Sequence, residues 1–219
     1  MIKITNLSKI FNQGKSNELK ALNKLNLTVE EGECLAITGK SGSGKTTLLN
    51  VLCGIERATT GCIEVDGVDI TRLSDNNLAK YRSKNIGIVM QNFCLINECS
   101  ALENVMLPLD FLGEKRVDKL RKSIALLKGV GLEYAIKKKV CELSGGEKQR
   151  VAIARALIAD AKYILADEPT GALDTKTSKD IMDMLLRINS KGKTIIFVTH
   201  DPLVANRCTR IVEIIDGNI

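Results

Sequence analysis

The feature that most constrains this chain is the glycine-rich segment at residues 39–46, which reads GKSGSGKT. It fits the pattern G-x-x-x-x-G-K-[S/T], follows an apolar run at 34–38 and opens an apolar stretch at 47–52. In a strand, loop and helix of this kind, main-chain N–H groups converge on phosphate oxygens and the helix N-terminus adds positive potential. The context therefore favours a phosphate-binding loop over a flexible Gly/Ser linker.

Residues of this loop have distinct expected roles. Lys45 is predicted to reach the β- and γ-phosphates of ATP, and the hydroxyl of Thr46 to bind Mg²⁺. The remaining residues that we expect to contact the nucleotide are Gly39, Lys40, Ser41, Gly42, Ser43, Gly44 and Thr47. ATP and Mg²⁺ are therefore the expected cofactors.

A second group of chemical interest ends a hydrophobic run at residues 163–166. Asp167 and Glu168 follow this run, and Pro169 stops further strand pairing. In a phosphate-loop protein, an acid at a strand end holds the Mg²⁺ shell and an adjacent acid orients or deprotonates the attacking water. We assign Asp167 to the metal and Glu168 to the water. Taken alone, the pair would indicate a solvated turn, but the phosphate loop favours the catalytic interpretation.

The distribution of apolar runs predicts the fold. Continuous apolar runs at 34–38, 86–90, 163–166 and 194–199 are typical of parallel strands buried on both faces, and indicate a three-layer α/β core. Residues 1–7 and 61–67 alternate instead, and the second run ends at an Asp-Gly turn, which predicts a small antiparallel sheet. Helical periodicity between 92 and 158, clearest at 115–128, predicts an inserted helical subdomain whose register Pro108 breaks early.

A third motif, at residues 143–150, reads LSGGEKQR and precedes an alanine-rich apolar helix. Ser144 and Glu147 form a capping box, which by itself would explain the motif. However, Gly145 and Gly146 weaken a helix start unless something approaches the backbone closely. An anion such as a terminal phosphate is a natural candidate.

With these motifs in order, the whole chain resembles the ABC ATPase family, of which LSGGE is the signature. The resemblance implies a P-loop NTPase (RecA-like) core with an N-terminal antiparallel β subdomain and an inserted α-helical subdomain. It implies one domain over 1–219, with the core at 1–91 and 159–219 and the helical signature subdomain at 92–158. It also implies a head-to-tail homodimer enclosing two ATP molecules, in which Ser144, Gly145 and Gly146 contact the γ-phosphate held by a second subunit.

Four further residues acquire expected roles from the same resemblance. Gln91 matches the glutamine that ligates Mg²⁺ and links the nucleotide site to the membrane partner. His200, the only histidine, matches the switch histidine at the γ-phosphate. Asp174 matches a loop that crosses the dimer interface, although it would otherwise pass for a helix cap. Phe11 stands where an aromatic ring stacks on adenine, although a core position would explain it equally well.

Composition limits the setting and the partners. No apolar run approaches the roughly 20 residues of a spanning helix and no signal-peptide stretch opens the chain, so we expect a cytoplasmic protein peripheral to the membrane. A net charge of +6 without long basic tracts gives no reason to expect a nucleic-acid partner. Seven scattered cysteines are interpreted as reduced and mostly buried.

The stretches DEPTGALD and VTHD resemble the bacterial subgroup for macrolide export, lipoprotein release or peptide-antibiotic resistance, the last being closest. That resemblance implies integral membrane permease subunits as partners. A non-transport ABC ATPase that acts as a regulatory or sensor-coupled signalling partner stays open at this stage.

Overall fold

The computed structural model describes residues 1–219. The nine strands are β1 (Ile2–Phe11), β2 (Leu19–Val29), β3 (Cys34–Thr38), β4 (Thr60–Val65), β5 (Val68–Asp69), β6 (Ile86–Met90), β7 (Tyr163–Asp167), β8 (Thr194–Val198) and β9 (Arg210–Glu213). The seven α-helices are α1 (Lys45–Leu52), α2 (Asp75–Asn85), α3 (Ala101–Phe111), α4 (Arg116–Gly129), α5 (Gly145–Leu157), α6 (Thr175–Asn189) and α7 (Pro202–Ala205). These elements divide into two units, residues 1–82 with 194–219 and residues 83–193.

The first unit contains the predicted antiparallel sheet, with strand order β2-β1-β4-β5. Asp66 and Gly67 join β4 to β5 with φ values of 49° and 82°. Positive φ at both central residues is what a type I′ hairpin turn requires, and Asp-Gly accommodates it. The Asp-Gly signal in the sequence therefore located this hairpin correctly.

The strand β2 was not predicted, because bulges interrupt its alternation with β1. Their pairing shifts register between Ile4 and Leu7, and again before Ile10. Asn6 and Lys24 have φ values of 48° and 47°, so neither strand keeps a strict two-residue period across the bulge. A sequence pattern that relies on strict alternation cannot detect such a strand.

The first unit also holds three parallel strands, with β3 between β8 and β9. Ile37 pairs with Val198 on one side and with Val212 on the other. Every residue of β8 is buried, as the continuous apolar run predicted. Because parallel strands share their carboxyl edge, the segments that follow β3 and β8 leave the sheet side by side.

The second unit combines two parallel strands with helices α3 to α6. β6 and β7 pair along their whole length, ending with Met90 beside Asp167. The core of its helical part is formed by residues that share almost complete burial: Ala101, Val105, Leu109, Leu127, Val130, Leu132, Ala135, Val140, Leu143, Val151, Ala154 and Ile158. This unit therefore has an apolar core of its own.

Two details of the sequence interpretation are wrong. Helix α3 runs through Pro108 instead of breaking there. Because proline has no N–H, the carbonyl of Asn104 receives no hydrogen bond from position 108. The cysteines are not mostly buried, since only Cys34 and Cys53 are, while Cys94 and Cys141 are exposed.

None of the helices combines the length and the apolar character that crossing a membrane would demand.

Candidate functional site

The phosphate loop connects β3 to α1 and is shaped by glycines at its two ends. Gly39 has a φ of 144°, and a Cβ there would lie 2.3 Å from the carbonyl oxygen of Ile214. Gly44 has a φ of 107°, and its Cβ would lie 2.4 Å from the carbonyl oxygen of Ala21. Neither neighbour is a flexible side chain, so only glycine fits at either end of the loop.

The start of α1 offers main-chain donors to an anion. The first N–H groups of a helix have no intrahelical acceptor, and the N-cap residue Gly44 supplies no side-chain oxygen to them. Lys45 is only 9% exposed. It donates to the carbonyl oxygens of Gly39 and Lys40, both at 2.8 Å. The loop is thus curled around one cation and a helix N-terminus, the two features that attract a phosphate.

The remaining loop residues differ in exposure. Lys40, Ser41, Gly42 and Thr46 are exposed, and Thr47 is half-buried. Ser43 is buried, and its hydroxyl oxygen has no hydrogen-bond partner. A buried hydroxyl without a partner is uncommon in folded proteins, and it indicates a position that a ligand completes.

His200 follows β8 at the same sheet edge as the phosphate loop. The N–H of Thr199 donates to the carbonyl of Ile37 at 3.1 Å, which extends the pairing of β8 with β3 to the edge of the sheet. The hydroxyl of Thr199 then accepts from the N–H of Asp201 at 3.0 Å. His200 lies between these two fixed residues and is exposed. The structure therefore brings the histidine and the phosphate loop to one edge.

Phe11 ends β1 and is half-buried rather than part of the core. The ammonium of Lys9 lies 4.7 Å from the centroid of its ring, within cation–π range. Lys9 also bonds to a carboxylate oxygen of Glu56 at 2.8 Å. The ring is thus held from one side by an anchored cation.

In the second unit, Gln91 and the two acids converge at the carboxyl ends of β6 and β7. Asp167 ends β7, and Glu168 follows it in the left-handed region with a φ of 45°. A Cβ at Gly171 would lie 2.9 Å from Nε2 of Gln91 and 3.5 Å from Cβ of Glu168. The amide of Gln91 and the side chain of Glu168 therefore approach the same glycine. Left-handed backbone at a residue with a side chain is strained and is frequent at functional positions.

The signature turn begins α5 and is a complete capping box. Ser144 N–H donates to a carboxylate oxygen of Glu147 at 2.7 Å, and the Ser144 hydroxyl accepts from the Glu147 N–H at 3.3 Å. The other carboxylate oxygen accepts from the phenol of Tyr134 at 2.5 Å. The bonds from Tyr134 and Ser144 lower the pKa of Glu147, and the same bond to the carboxylate raises the pKa of Tyr134.

The glycines of this turn contact the start of α6. A Cβ at Gly146 would lie 2.6 Å from the methyl group of Thr177, and one at Gly145 would lie 3.3 Å from Leu173. Asp174 caps α6 by accepting from the N–H of Thr177 at 3.0 Å. The hydroxyl of Thr177 also donates to it, which lowers its pKa. Close packing thus accounts locally for Gly146, and helix capping accounts locally for Asp174.

Two polar residues of α5 that the sequence interpretation did not single out hold the loops after β6 and β7. Gln149 donates from Nε2 to the carbonyl of Pro169 at 2.6 Å. Arg155 donates to the carbonyls of Cys94 and, at 2.9 Å, Phe93. Both of these carbonyl residues have positive φ, 47° and 62°. In the sequence, the feature that could have identified these two residues is a polar side chain on the apolar face of the predicted helix.

The predicted residues therefore fall into three local groups. The first unit gathers the phosphate loop and His200 at one edge of the parallel strands, and it places Phe11 on the antiparallel sheet, where Phe11 pairs with Leu19 of β2. The second unit gathers Gln91, Asp167 and Glu168 at one pair of strand ends, and the signature turn beside Asp174. No cluster of three or more His, Cys, Asp or Glu side chains forms a metal cage. Mg²⁺ in phosphate sites needs only one or two protein ligands besides the phosphates.

The sequence is similar to a large group of known proteins. Residues 22–171 match the family described as ABC transporter. The uncharacterized ABC transporter ATP-binding protein YvrO of Bacillus subtilis (strain 168) is 45% identical over 219 residues, which are 100% of this chain and 95% of YvrO. The lipoprotein-releasing system ATP-binding protein LolD of Geobacter metallireducens is 44% identical over 100% of this chain and 97% of LolD. The macrolide export ATP-binding/permease protein MacB of Mannheimia succiniciproducens is 41% identical over 100% of this chain but only 34% of MacB.

The structure is similar to solved cassettes over its whole length. A dimeric structure of MJ0796, described as a bacterial ABC transporter cassette, matches with a TM-score of 0.92 and 42% identity, covering 100% of this chain and 96% of the other. A second dimeric structure of MJ0796, a post-hydrolysis state bound to ADP and Pi, matches with a TM-score of 0.92 and 41% identity at the same coverage. The predicted fold class, a P-loop core with an antiparallel β subdomain and an inserted helical subdomain, is confirmed.

Proposed function

The chain belongs to the ABC transporter family as an ATP-hydrolysing cassette, and from this premise we propose that it closes as a head-to-tail homodimer on two ATP molecules to drive a membrane permease. The observation that best supports the dimer is the likeness to MJ0796, a cassette solved as a dimer, because it extends over 100% of this chain at a TM-score of 0.92. Nearly all of that dimeric cassette, 96% of its chain, thus has a counterpart in this chain.

Within one subunit, the phosphate loop would bind the β- and γ-phosphates. Lys45 would exchange its two carbonyl partners for phosphate oxygens, and the N–H groups at the start of α1 would donate to the same oxygens. Gly39 through Thr47 would line this contact, with Phe11 stacked on adenine. Stacking on one aromatic ring contributes about 1–3 kcal/mol.

Mg²⁺ would be held by the hydroxyl of Thr46 and by Gln91, with Asp167 in its shell. When bound, it neutralises charge on the phosphate oxygens. Glu168 would accept a proton from the attacking water, and His200 would donate to a γ-phosphate oxygen. Water then adds to the γ-phosphorus while the bond to the β,γ-bridging oxygen breaks, which yields ADP and inorganic phosphate.

The second subunit would complete each site. The partner subunit's Ser144, Gly145 and Gly146 would approach the γ-phosphate, since Ser144 is exposed and opens a helix whose N-terminus favours anions. Asp174 would lie at the interface between the two subunits. Hydrolysis would then depend on dimer closure, whereas nucleotide binding would not.

The setting follows from the relatives' names. LolD is named for a lipoprotein-releasing system, and MacB for macrolide export with a permease in its own chain. We infer separate integral membrane permease subunits for this chain, and peptide antibiotics, macrolides or lipoproteins as substrates. It would work at the cytoplasmic face of the membrane without a nucleic-acid partner. We also infer the catalytic core at 1–91 and 159–219 and the signature subdomain at 92–158.

The test is the Glu168→Gln variant, which would bind ATP without hydrolysing it. Gel filtration with ATP is expected to show a stable dimer, and the double variant Glu168→Gln, Ser144→Arg is expected to remain monomeric with an unchanged nucleotide affinity. Lys45→Ala serves as the control that loses nucleotide binding itself. A Glu168→Gln protein that stays monomeric in saturating ATP would contradict the proposed dimer.

A further inference from the structure

Gln149 is a fully buried amide on the signature helix α5. Its exposed fraction is 0%, and it lies five residues after Ser144. Its Nε2 donates to the carbonyl oxygen of Pro169 at 2.6 Å. Its Oε1 is buried without a hydrogen-bond partner. One end of the amide is therefore tightly bonded and the other end is unsatisfied.

This arrangement is costly for stability alone. A buried polar atom without a partner loses its hydration and gains nothing in return, and an apolar side chain of the same shape would avoid that loss. Beyond Arg150, the next residues of α5, Val151, Ala152 and Ile153, are apolar and buried. A glutamine on such a helix needs another reason, and its single bond points to the loop after β7.

The bonded carbonyl belongs to the turn that directs Glu168. Gly171 N–H donates to the carbonyl of Glu168 at 3.1 Å, which closes a four-residue turn with Pro169 at its second position. Glu168 enters this turn with a φ of 45°. A residue in that conformation keeps it only where the surroundings fix the adjacent peptides. The bond from Gln149 fixes the carbonyl of the residue that follows Glu168.

We propose that Gln149 is a positioning residue for hydrolysis, which holds the Pro169 carbonyl and thereby sets the direction of the Glu168 carboxylate. The inference rests on the proposed function, in which Glu168 orients the attacking water. It adds a link between two sites, because α5 is capped by Ser144 and holds the turn after Glu168 through Gln149, five residues later. Contact of the signature turn with a partner's nucleotide would then act on the water-orienting residue through one rigid helix.

The test replaces the amide by a thioether of similar length. Gln149→Met keeps the linear shape but removes Nε2 and Oε1, and kcat for ATP hydrolysis is expected to fall about tenfold or more, because misplacement of a catalytic group by about 1 Å is sufficient for such a loss. The dissociation constant for ATP should stay within twofold, since the hydrogen bond of Gln149 is to Pro169 and not to the phosphate loop. Gln149→Leu provides a second variant if Gln149→Met does not fold.

Asn104 provides a matched control, because it is also a 0% exposed amide of the same unit. It donates to the carbonyls of Ile96 and Ser100, both at 3.0 Å, which belong to neither strand-end turn. Asn104→Leu should lower the unfolding temperature while kcat of the folded protein changes less than twofold. The Asn104 variant therefore measures the effect of losing any buried amide, and a larger fall in kcat for the Gln149 variant measures the loss of positioning.

A double-mutant cycle completes the test. In the Glu168→Gln background, single-turnover hydrolysis should show little further loss on adding Gln149→Met, because the two residues act through one step. Losses that multiply, or a folded Gln149→Met protein with kcat within twofold of the parent, would overturn the inference. If Glu168→Gln itself retained turnover, the proposed function would fail instead, and the two failures are thus distinguishable.

Discussion

The change Ser144→Ala separates a structural role of the signature turn from a chemical one, because the chain contains a second capping box with the same geometry. Ser144 caps α5 with φ −65° and ψ 163°, and Ser100 caps α3 with φ −68° and ψ 164°. Their hydroxyls accept from the N–H of Glu147 at 3.3 Å and of Glu103 at 3.2 Å. Ser100→Ala is therefore a matched control.

Both changes should lower stability, and Ser100→Ala somewhat more, because the Ser100 hydroxyl also donates to a carboxylate oxygen of Glu103 at 2.6 Å. Replacing an N-cap serine by alanine lowers the free energy of unfolding by about 1 kcal/mol. For a chain of this size, that corresponds to a fall of about 2–4 °C in Tm. Thermal unfolding without nucleotide should therefore give a shift for Ser100→Ala that is at least as large as the shift for Ser144→Ala.

Hydrolysis should distinguish the two variants. If the Ser144 hydroxyl donates to a γ-phosphate oxygen in the partner's site, its removal loses a hydrogen bond to a charged group, about 1.5–3 kcal/mol. At about 1.36 kcal/mol per decade, kcat should fall roughly 10- to 150-fold. Ser100 has no such role, so Ser100→Ala should keep kcat within twofold.

The assay is steady-state phosphate release at saturating ATP, together with nucleotide affinity of the monomer from fluorescence titration. The Ser144→Ala affinity should equal that of the parent, because the serine acts on the other subunit's nucleotide. Equal kcat for Ser144→Ala and Ser100→Ala would refute the reasoning and leave the signature turn as a helix cap.

Two further predictions concern side chains around α5. Arg155→Met should lower the free energy of unfolding by about 2–3 kcal/mol, because the carbonyls of Phe93 and Cys94, both in strained backbone, lose a charged hydrogen-bond donor. Urea titration measures this loss, and an unchanged urea midpoint would contradict the role of Arg155. Tyr134→Phe should lower it by about 0.5–1 kcal/mol at pH 7, because it removes a bond to a carboxylate at an exposed site. Since that bond lowers the pKa of Glu147, its contribution is present above the unfolded value near 4.3 and is lost as pH falls through the folded pKa. Urea titrations of Tyr134→Phe and the parent should therefore differ at pH 7 and converge once the pH falls below the lowered pKa of Glu147, and a gap that persists in stronger acid would count against the assignment.

Strand positions were predictable where burial is complete. The run at 34–38 became β3 and the run at 86–90 became β6 with the same bounds, because parallel strands covered on both faces consist of apolar residues alone. The strand β2 was missed, since its bulges against β1 destroy the two-residue period. Helix α3 was misjudged at Pro108, because packing of its apolar face outweighs one missing hydrogen bond.

The positions and contacts of single site residues can be divided in the same way. The positions of Lys45 and His200 could be predicted, because each directly follows a strand or loop that the local sequence defines. Gln149 and Arg155 could not, because their partners lie 20 and about 60 residues away along the chain. The requirement for glycine at Gly146 could not be predicted either, since the methyl group that excludes a Cβ there belongs to Thr177.

By itself, the sequence determined what depends on short spacing: the phosphate loop between its strand and helix, the two acids at the end of β7, and the capping box of the signature turn. These are set by hydrogen bonds and backbone preferences within about ten residues. Only the tertiary structure decided which carbonyl Gln149 holds, which turn Arg155 clamps, and that Gln91 approaches Gly171 beside Glu168. Such contacts form when elements that are distant in sequence pack together, so they cannot be predicted from the spacing of residues along the chain.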